Sequence, residues 1–433
     1  MENCIVFNYT DPAMPVPVAR FVLDANGNGL LAYGKSYRAV DNPLPLDPIH
    51  LPVSSITHHV PRHPDGSYGV ISDAGPDAWD VKLTASICRV TRQRVPETPV
   101  DWLLRSWHYG AGCLGFSAGA DTPPRLGVAP ESVSRLSARV VTAIEKLSTR
   151  ADNDLDHEAI RLALPGASLG GVRPKTVVMH GGREYIAKFS RQDDRFDVPA
   201  VEYATLMLAC RAGVHLPEFE LMEIGGRSVL LIERFDRKDD GKRVHYISAN
   251  SLIGIGSLTD NDYKTRYSYG GIAEAMRGIN DEVVPDSHEL FRRMVVHILV
   301  GNVDHHMRNH GLILTENSKY RLSPAFDIIP HLDAVVMPQS IGVGALGRAS
   351  TMENAMSQRG RFQLTHNEAV EIIKEVRAVA AGWVSIFREA GVSDRDIILL
   401  RPCFSVAEEA DRPVIAVAPR QDEDDTSENV KMR

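Results

Sequence analysis

In the first part of the chain short β-like apolar runs, at 5–7 and 29–33, alternate with turn residues and with stretches of helical spacing over 78–90 and 100–107. This mixture predicts a small α+β unit spanning residues 1–120. A proline-containing stretch, 121–130, interrupts both periods and predicts a linker, continued by a polar helix over 133–147 to about residue 158. The pattern restarts at 159 with a glycine-rich turn, strands over 176–179 and 185–189, a helix over 199–212, and strands over 219–223 and 228–233. From 237 to about 400 helical spacing dominates. Strands followed by helices predict an α+β fold with a β-rich lobe, its core at 159–236, and a mostly helical lobe at 237–410. Residues 411–433 include Gln-Asp-Glu-Asp-Asp-Thr-Ser-Glu and few bulky apolar side chains, which predicts an acidic disordered tail.

Composition narrows the classes. The 433 residues, 43% hydrophobic, supply more core than one compact unit usually holds, so two or three units are expected. A net charge of -8 provides no general field toward phosphate backbones and disfavours unaided nucleic-acid binding. Five cysteines without a CxxC spacing fit neither a disulfide framework nor a zinc ribbon. The richest apolar run, 294–300, contains His297 and ends at Gly301, well short of the roughly 18 residues of a membrane span. The N-terminus lacks the basic and apolar regions of a secretion signal. A cytoplasmic protein with no membrane partner is the expectation.

Two stretches carry candidate chemistry. In the first, Ser168, Gly170 and Gly171 precede a strand, where glycine backbone can approach an anion closely; an ordinary β-turn has the same composition. Lys188 follows in the strand 185–189, on the face of Ile186. Alone, such a lysine is ordinarily solvated. Glu202 falls near the start of the next helix, which Asp197 can cap and Gly213 can end; the helix dipole is sufficient reason for it. A strand Lys followed by a helix Glu is also the pair that positions ATP phosphates in kinases. The apolar run 229–232 turns polar at Glu233-Arg234-Phe235-Asp236-Arg237, either as a plain strand exit or as a hinge to adenine.

In the second stretch, Leu290, Phe291, Met294, Val295, Ile298 and Leu299 recur at helical spacing up to Gly301, so the helix delivers 302–309 as a loop. Asp304 and Asn309 stand five positions apart, the D-x-x-x-x-N of protein-kinase catalytic loops. Two short β-runs, 311–315 and 320–322, return the chain to Asp327, placed to bind Mg²⁺ as the Asp of D-F-G does. Asp304 can deprotonate a hydroxyl; Asn309 and Asp327 offer the hard oxygens that suit Mg²⁺. Each motif is weak alone, but their order along the chain favours an ATP-dependent phosphotransferase. His305, His306 and His310 lack the H-E-x-x-H spacing of a zinc site, and one of them is expected to brace the loop.

These residues resemble the HipA-like serine/threonine kinase toxins of bacterial toxin–antitoxin systems. The likeness rests on Ser168-Leu169-Gly170-Gly171-Val172-Arg173-Pro174-Lys175, Ile232-Glu233-Arg234-Phe235-Asp236-Arg237, the loop 301–309 and Leu322-Ser323-Pro324-Ala325-Phe326-Asp327. It extends to Ser72-Asp73-Ala74-Gly75-Pro76, Gly110-Ala111-Gly112-Cys113 and Glu353-Asn354-Ala355, and covers nearly all but the tail. It implies a two-lobed protein-kinase-like fold with an extra N-terminal α+β subdomain. It also implies Asp304 as catalytic base, Asn309 and Asp327 as metal ligands, Lys188 at the phosphates, Glu233 and Phe235 at adenine, and Ser168 as an autophosphorylation position. Implied partners are a HipB-like helix-turn-helix antitoxin, which alone would bring DNA, and an aminoacyl-tRNA synthetase as substrate. Val303 and His305 around the catalytic Asp, and the segment 243–248, depart from the pattern of many relatives. A small-molecule kinase and an inactive antitoxin-binding co-repressor are the alternative readings.

Overall fold

The computed structural model describes residues 2–76, 78–105, 110–124, 129–147, 157–163 and 173–408. The glycine-rich turn with Ser168, Gly170 and Gly171, the acidic tail and parts of the 121–158 linker lie outside these residues.

Strands β1 (Glu2–Asn8), β2 (Val16–Leu23), β3 (Gly29–Tyr33), β4 (His58–Val60) and β5 (Leu114–Ser117) form an antiparallel sheet in the order β4-β3-β2-β1-β5. The expected strands at 5–7 and 29–33 are β1 and β3. Two of the others have no clean alternation to reveal them. β2 carries Pro17 and pairs with β1 across a register shift at Val6/Phe7, and all four residues of β5 are buried. Helix Pro99–Arg105 packs against β1, whereas helix Ala78–Val90 faces elsewhere. Its Trp79 and Leu83 join the core behind the second sheet, and the Trp79 indole donates to the Lys175 carbonyl at 3.2 Å.

The second sheet contains β6 (Glu131–Ser132), β7 (Lys175–His180), β8 (Arg183–Lys188), β9 (Phe219–Glu223) and β10 (Ser228–Glu233), in the order β6-β7-β8-β10-β9. Val178, Ala187, Phe189, Val229 and Leu231 turn one face toward Val140, Val141 and Ile144. The helix expected over 133–147 is divided into a short 3-10 turn, Val133–Arg135, and helix Ala138–Leu147. The Ser132 hydroxyl accepts from Ser134 and the Ser137 hydroxyl from Val140, so a serine restarts the backbone at each start, as N-caps do. Helix Val198–Arg211 follows β8. Asp197 caps it by accepting from the Ala200 N–H at 3.2 Å, Pro199 lies in its first turn, and it packs on β10.

The remainder is built around helix Val283–Leu299, in which Leu290, Phe291, Met294, Val295 and Leu299 are fully buried, on the stripe their spacing predicts. Helices Tyr269–Met276 and His366–Ala380 pack beside it. A third antiparallel sheet, β11 (Tyr246–Ser248), β12 (Gly311–Leu314) and β13 (Tyr320–Leu322), is set among these helices. The sequence expectation has β12 and β13 but not β11, a fully buried three-residue strand too short to show a period. No helix among the described residues is long and apolar enough to cross a membrane.

Candidate active site

Lys188, the last residue of β8, brings two distant segments together. Its ammonium donates to Glu202 at 2.5 Å and to Asp327 Oδ1 at 3.0 Å. The Glu202 side chain is 4% exposed and that of Lys188 15%, so this is not the solvated lysine that its strand position alone suggests. Burial works against the lysine charge, but the carboxylates of Asp327 and Glu202 outweigh it and raise its pKa. Burial likewise raises Glu202, with Lys188 opposing. Asp327 shows the reverse balance: the Lys188 charge holds its carboxyl well below the usual range. On the other oxygen of Asp327, the Asn309 amide donates at 3.1 Å.

Asp327 takes a backbone φ of 60°, in the left-handed region that costs a residue with a Cβ roughly 1–2 kcal/mol. Neighbours hold it there. The Asn302 amide approaches its carbonyl at 3.4 Å, and the His305 ring also hydrogen-bonds its backbone. Asn302 is 2% exposed and His305 1%, so both act from inside the protein.

The loop that carries Asp304 is built by alternating buried and exposed residues. Helix Val283–Leu299 ends just before Gly301, whose φ is 65° and where a Cβ would meet the Cys403 carbonyl oxygen at 2.5 Å. Beyond it Val303 and His305 are buried while Asp304 and His306 face solvent. The Val303 carbonyl accepts both the N–H and the hydroxyl of Ser340 at 2.9 Å, which fixes the base of the turn. Asp304 is thereby presented outward between two anchored residues. His297, His305 and His310 cluster beneath the loop, with ring centroids 3.7 Å apart for the first pair and 4.4 Å for the last two. Burial depresses all three, His305 to about 3, and keeps them neutral. Among the described residues no group of three His, Cys, Asp or Glu is arranged to cage a metal ion.

At the end of β10, the Glu233 N–H donates to Glu218 and the Arg234 N–H to Glu184, while Arg183 binds the Glu233 carboxylate at 2.9 Å. Phe235 stands 5.8 Å from Phe326, the neighbour of Asp327, so the candidate hinge and the candidate metal ligand share a wall. Behind it Asp236 accepts from Arg234 at 2.8 Å, Arg237 at 2.9 Å and the Gly112 N–H at 2.7 Å. Both arginines in turn donate to the Gly110 carbonyl.

The structure thus joins Lys188, Glu202, Asn309 and Asp327, sets Phe235 beside them through Phe326, leaves Glu233 paired with Arg183, and holds Asp304 exposed on the same loop as Asn309. Ser168, Gly170 and Gly171 cannot be placed, since they lie outside the described residues. Sequence reasoning passed over Lys175, which is 5% exposed, is the cross-strand partner of Lys188, and adds to the positive field on Asp327. A signal was present: a two-residue turn at Gly181-Gly182 pairs Lys175 with Lys188. Chemically, the arrangement offers cations for anionic oxygens, hard oxygen donors from Asp327 and Asn309, and an exposed carboxylate on the loop that carries Asn309.

Comparison with known proteins agrees in kind. The family model described as HipA-like C-terminal domain matches residues 167–383. Y4dM of Sinorhizobium fredii, named as a candidate kinase, is 28% identical over 261 residues, which are 52% of this chain and 62% of that protein. A second candidate kinase, from Haemophilus influenzae, is 26% identical over 38% of this chain and 52% of its own length. The serine/threonine-protein kinase toxin HipA of Shewanella oneidensis is 20% identical over 53% of this chain and 59% of its own. The chain therefore spans only about half to three-fifths of the length of these relatives. Among solved structures, a chain of the Shewanella oneidensis toxin–antitoxin complex of HipA, HipB and operator DNA shares the fold, with a TM-score of 0.61, 13% identity and coverage of 94% of this chain and 96% of that one.

Proposed function

This chain belongs to the family of the HipA-like C-terminal domain, and from that premise we propose that it is an ATP- and Mg²⁺-dependent serine/threonine kinase of the toxin class. The observation that carries the reading is the convergence of Lys188 and Asn309 on the two oxygens of Asp327, with Glu202 behind the lysine. Four side chains from a strand, a helix, a loop and the segment after a hairpin meet in the order along the chain that a two-lobed kinase requires.

In this reading Lys188, with Lys175 beside it, binds phosphate oxygens of ATP, and Glu202 fixes the lysine. Glu233 and Phe235 frame adenine at the hinge, while Ser168, Gly170 and Gly171 form the phosphate turn. The oxygen donors of Asp327 and Asn309 fit Mg²⁺, which when bound neutralises charge on the transferring phosphate. Asp304 accepts the proton of the acceptor hydroxyl as that oxygen bonds to the γ-phosphorus. The bond from phosphorus to the β–γ bridging oxygen breaks, and ADP leaves. Orientation and charge complementarity supply most of the acceleration.

The biological reading follows the family. The acceptor is a protein hydroxyl, with an aminoacyl-tRNA synthetase as substrate class and blocked translation as the consequence. A HipB-like helix-turn-helix antitoxin counters the kinase and supplies the only link to DNA, Ser168 is an autophosphorylation switch, and the setting is the cytoplasm. The test is incubation of the protein and its Asp304→Asn variant with γ-labelled ATP and Mg²⁺ in a bacterial lysate, followed by mapping of labelled sites. Labelling of protein by the wild type alone is the expected result; equal labelling by both removes Asp304 from the chemistry.

A further inference from the structure

The N-terminal residues reach the catalytic loop at a particular place. Asn309 lies between two gripped neighbours. On one side the Arg308 guanidinium meets Asp65 at 2.9 Å. On the other, the His310 carbonyl accepts the Ala249 N–H at 2.8 Å, and Gly311 is the register partner of Ser248 across β11 and β12. Ser248 is itself captured by Asp73, the last residue of helix Gly69–Asp73, whose two oxygens accept the Ser248 N–H at 2.8 Å and its hydroxyl at 2.7 Å. The strands have little freedom to slide, because Gly311 packs against the Tyr246 ring so closely that a Cβ would sit 2.1 Å from it.

We infer that Asp65 and Asp73 are positioning residues for the reaction: from the N-terminal part of the chain they fix segment 308–311 and, through it, the place of Asn309 relative to Asp327. Two observations point to positioning rather than cover. The Asp65–Arg308 pair is partly exposed, 50% and 37%, so it adds little to global stability, yet it attaches to the residue immediately before the candidate metal ligand. Both oxygens of Asp73 engage Ser248, in the strand that pairs with the loop's exit, and the Ser251 side chain also hydrogen-bonds the carboxylate. An isolated helical lobe would retain the loop sequence but lose both attachments.

The inference rests on the kinase reading, and the experiment separates the two. In the full chain, Asp65→Arg, Arg308→Asp and the double exchange are compared with wild type by amide hydrogen exchange over 303–311, by calorimetric affinity for Mg·ATP, and by turnover of Mg·ATP to ADP. Each single reversal is expected to speed exchange in that segment and lower kcat about threefold to fivefold, the scale of a partly exposed ion pair, and to weaken Mg·ATP binding less than kcat. The double exchange restores both. Asp73→Asn should produce the larger loss, and if it does not fold, the surface exchange still decides the matter. Unchanged exchange in both single variants, or a double variant no better than either single, overturns the inference. A wild type that binds no Mg·ATP and turns none over sinks the kinase reading and the catalytic role of the tether with it. Faster exchange in the single variants, reversed in the double, supports the tether without reference to turnover.

Discussion

The ammonium of Lys188 stands 3.0 Å from the carboxylate of Asp327, a contact that joins the second sheet to the segment after the third across 139 residues of chain. It leaves Glu202, on the other side of the lysine, dependent on the same charge.

Removing that charge should therefore cost more than a surface lysine would. Lys188→Met leaves the Glu202 carboxylate buried without its cation, a change worth about 3–5 kcal/mol at a fully buried pair and less here, where the lysine keeps some contact with water. Thermal unfolding should show a lower Tm. The double variant Lys188→Met/Glu202→Gln should regain part of the loss while remaining unable to turn over Mg·ATP.

Asp327→Asn separates charge from backbone. Asparagine tolerates the left-handed conformation that Asp327 occupies, so the fold should persist with a near-normal far-ultraviolet spectrum and melt. Turnover should fall by about a hundredfold or more, since the proposed electrostatic partner of the reacting phosphate is lost. A variant that keeps wild-type turnover would remove Asp327 from the site.

Beyond the end of β10, Asp236 neutralises two arginines whose side chains are 1% and 7% exposed. Burial, with the repulsion of Arg234, already pulls Arg237 down to about 9. Asp236→Ala would leave both cations to the single carboxylate of Glu184, 3.7 Å from Arg234 and 3.5 Å from Arg237, and should destabilise by about 3 kcal/mol, visible as a lower urea midpoint. Replacing Lys242, which pairs with Asp240 at the exposed end of the same segment, should change the midpoint little.

Stability should fall as the solution becomes acidic. Burial depresses His245 from 6.5 to about 4 and holds His297 well below its ordinary value. In the unfolded chain both take up a proton near pH 6.5, whereas in the folded protein they resist it. Their contribution is therefore fully present above about pH 6.5 and is lost as pH falls toward the folded value, at about 1.4 kcal/mol per pH unit for each group. Urea melts between pH 7 and pH 4.5 should show this slope, and His245→Gln should flatten it.

The motifs that resemble those of kinases were legible because they are local. Helical spacing announced the buried stripe of Val283–Leu299, and the loop and hairpin after it set the order of Asp304, Asn309 and Asp327 without tertiary information. The same locality explains what was missed. β11 and β5 are short and wholly buried, so no alternation marked them. Lys188 and Glu202, judged by their own segments, looked like a solvated strand end and a helix-dipole partner, because what makes them a site is Asp327, far along the chain.

The sequence by itself determined the longer periodic elements, the order of the candidate residues and the family, since periodicity, turn residues and motif spacing are properties of neighbouring positions. Tertiary structure decided which charges meet. It paired Lys188 with both Glu202 and Asp327, placed Lys175 beside them, turned Asp304 outward between buried Val303 and His305, and brought Asp65 to Arg308 and Asp73 to the strand that pairs with the exit of the Asp304 loop. The reason is physical: a buried charge is tolerable only where packing delivers its partner, and packing depends on contacts between residues that sequence spacing does not relate.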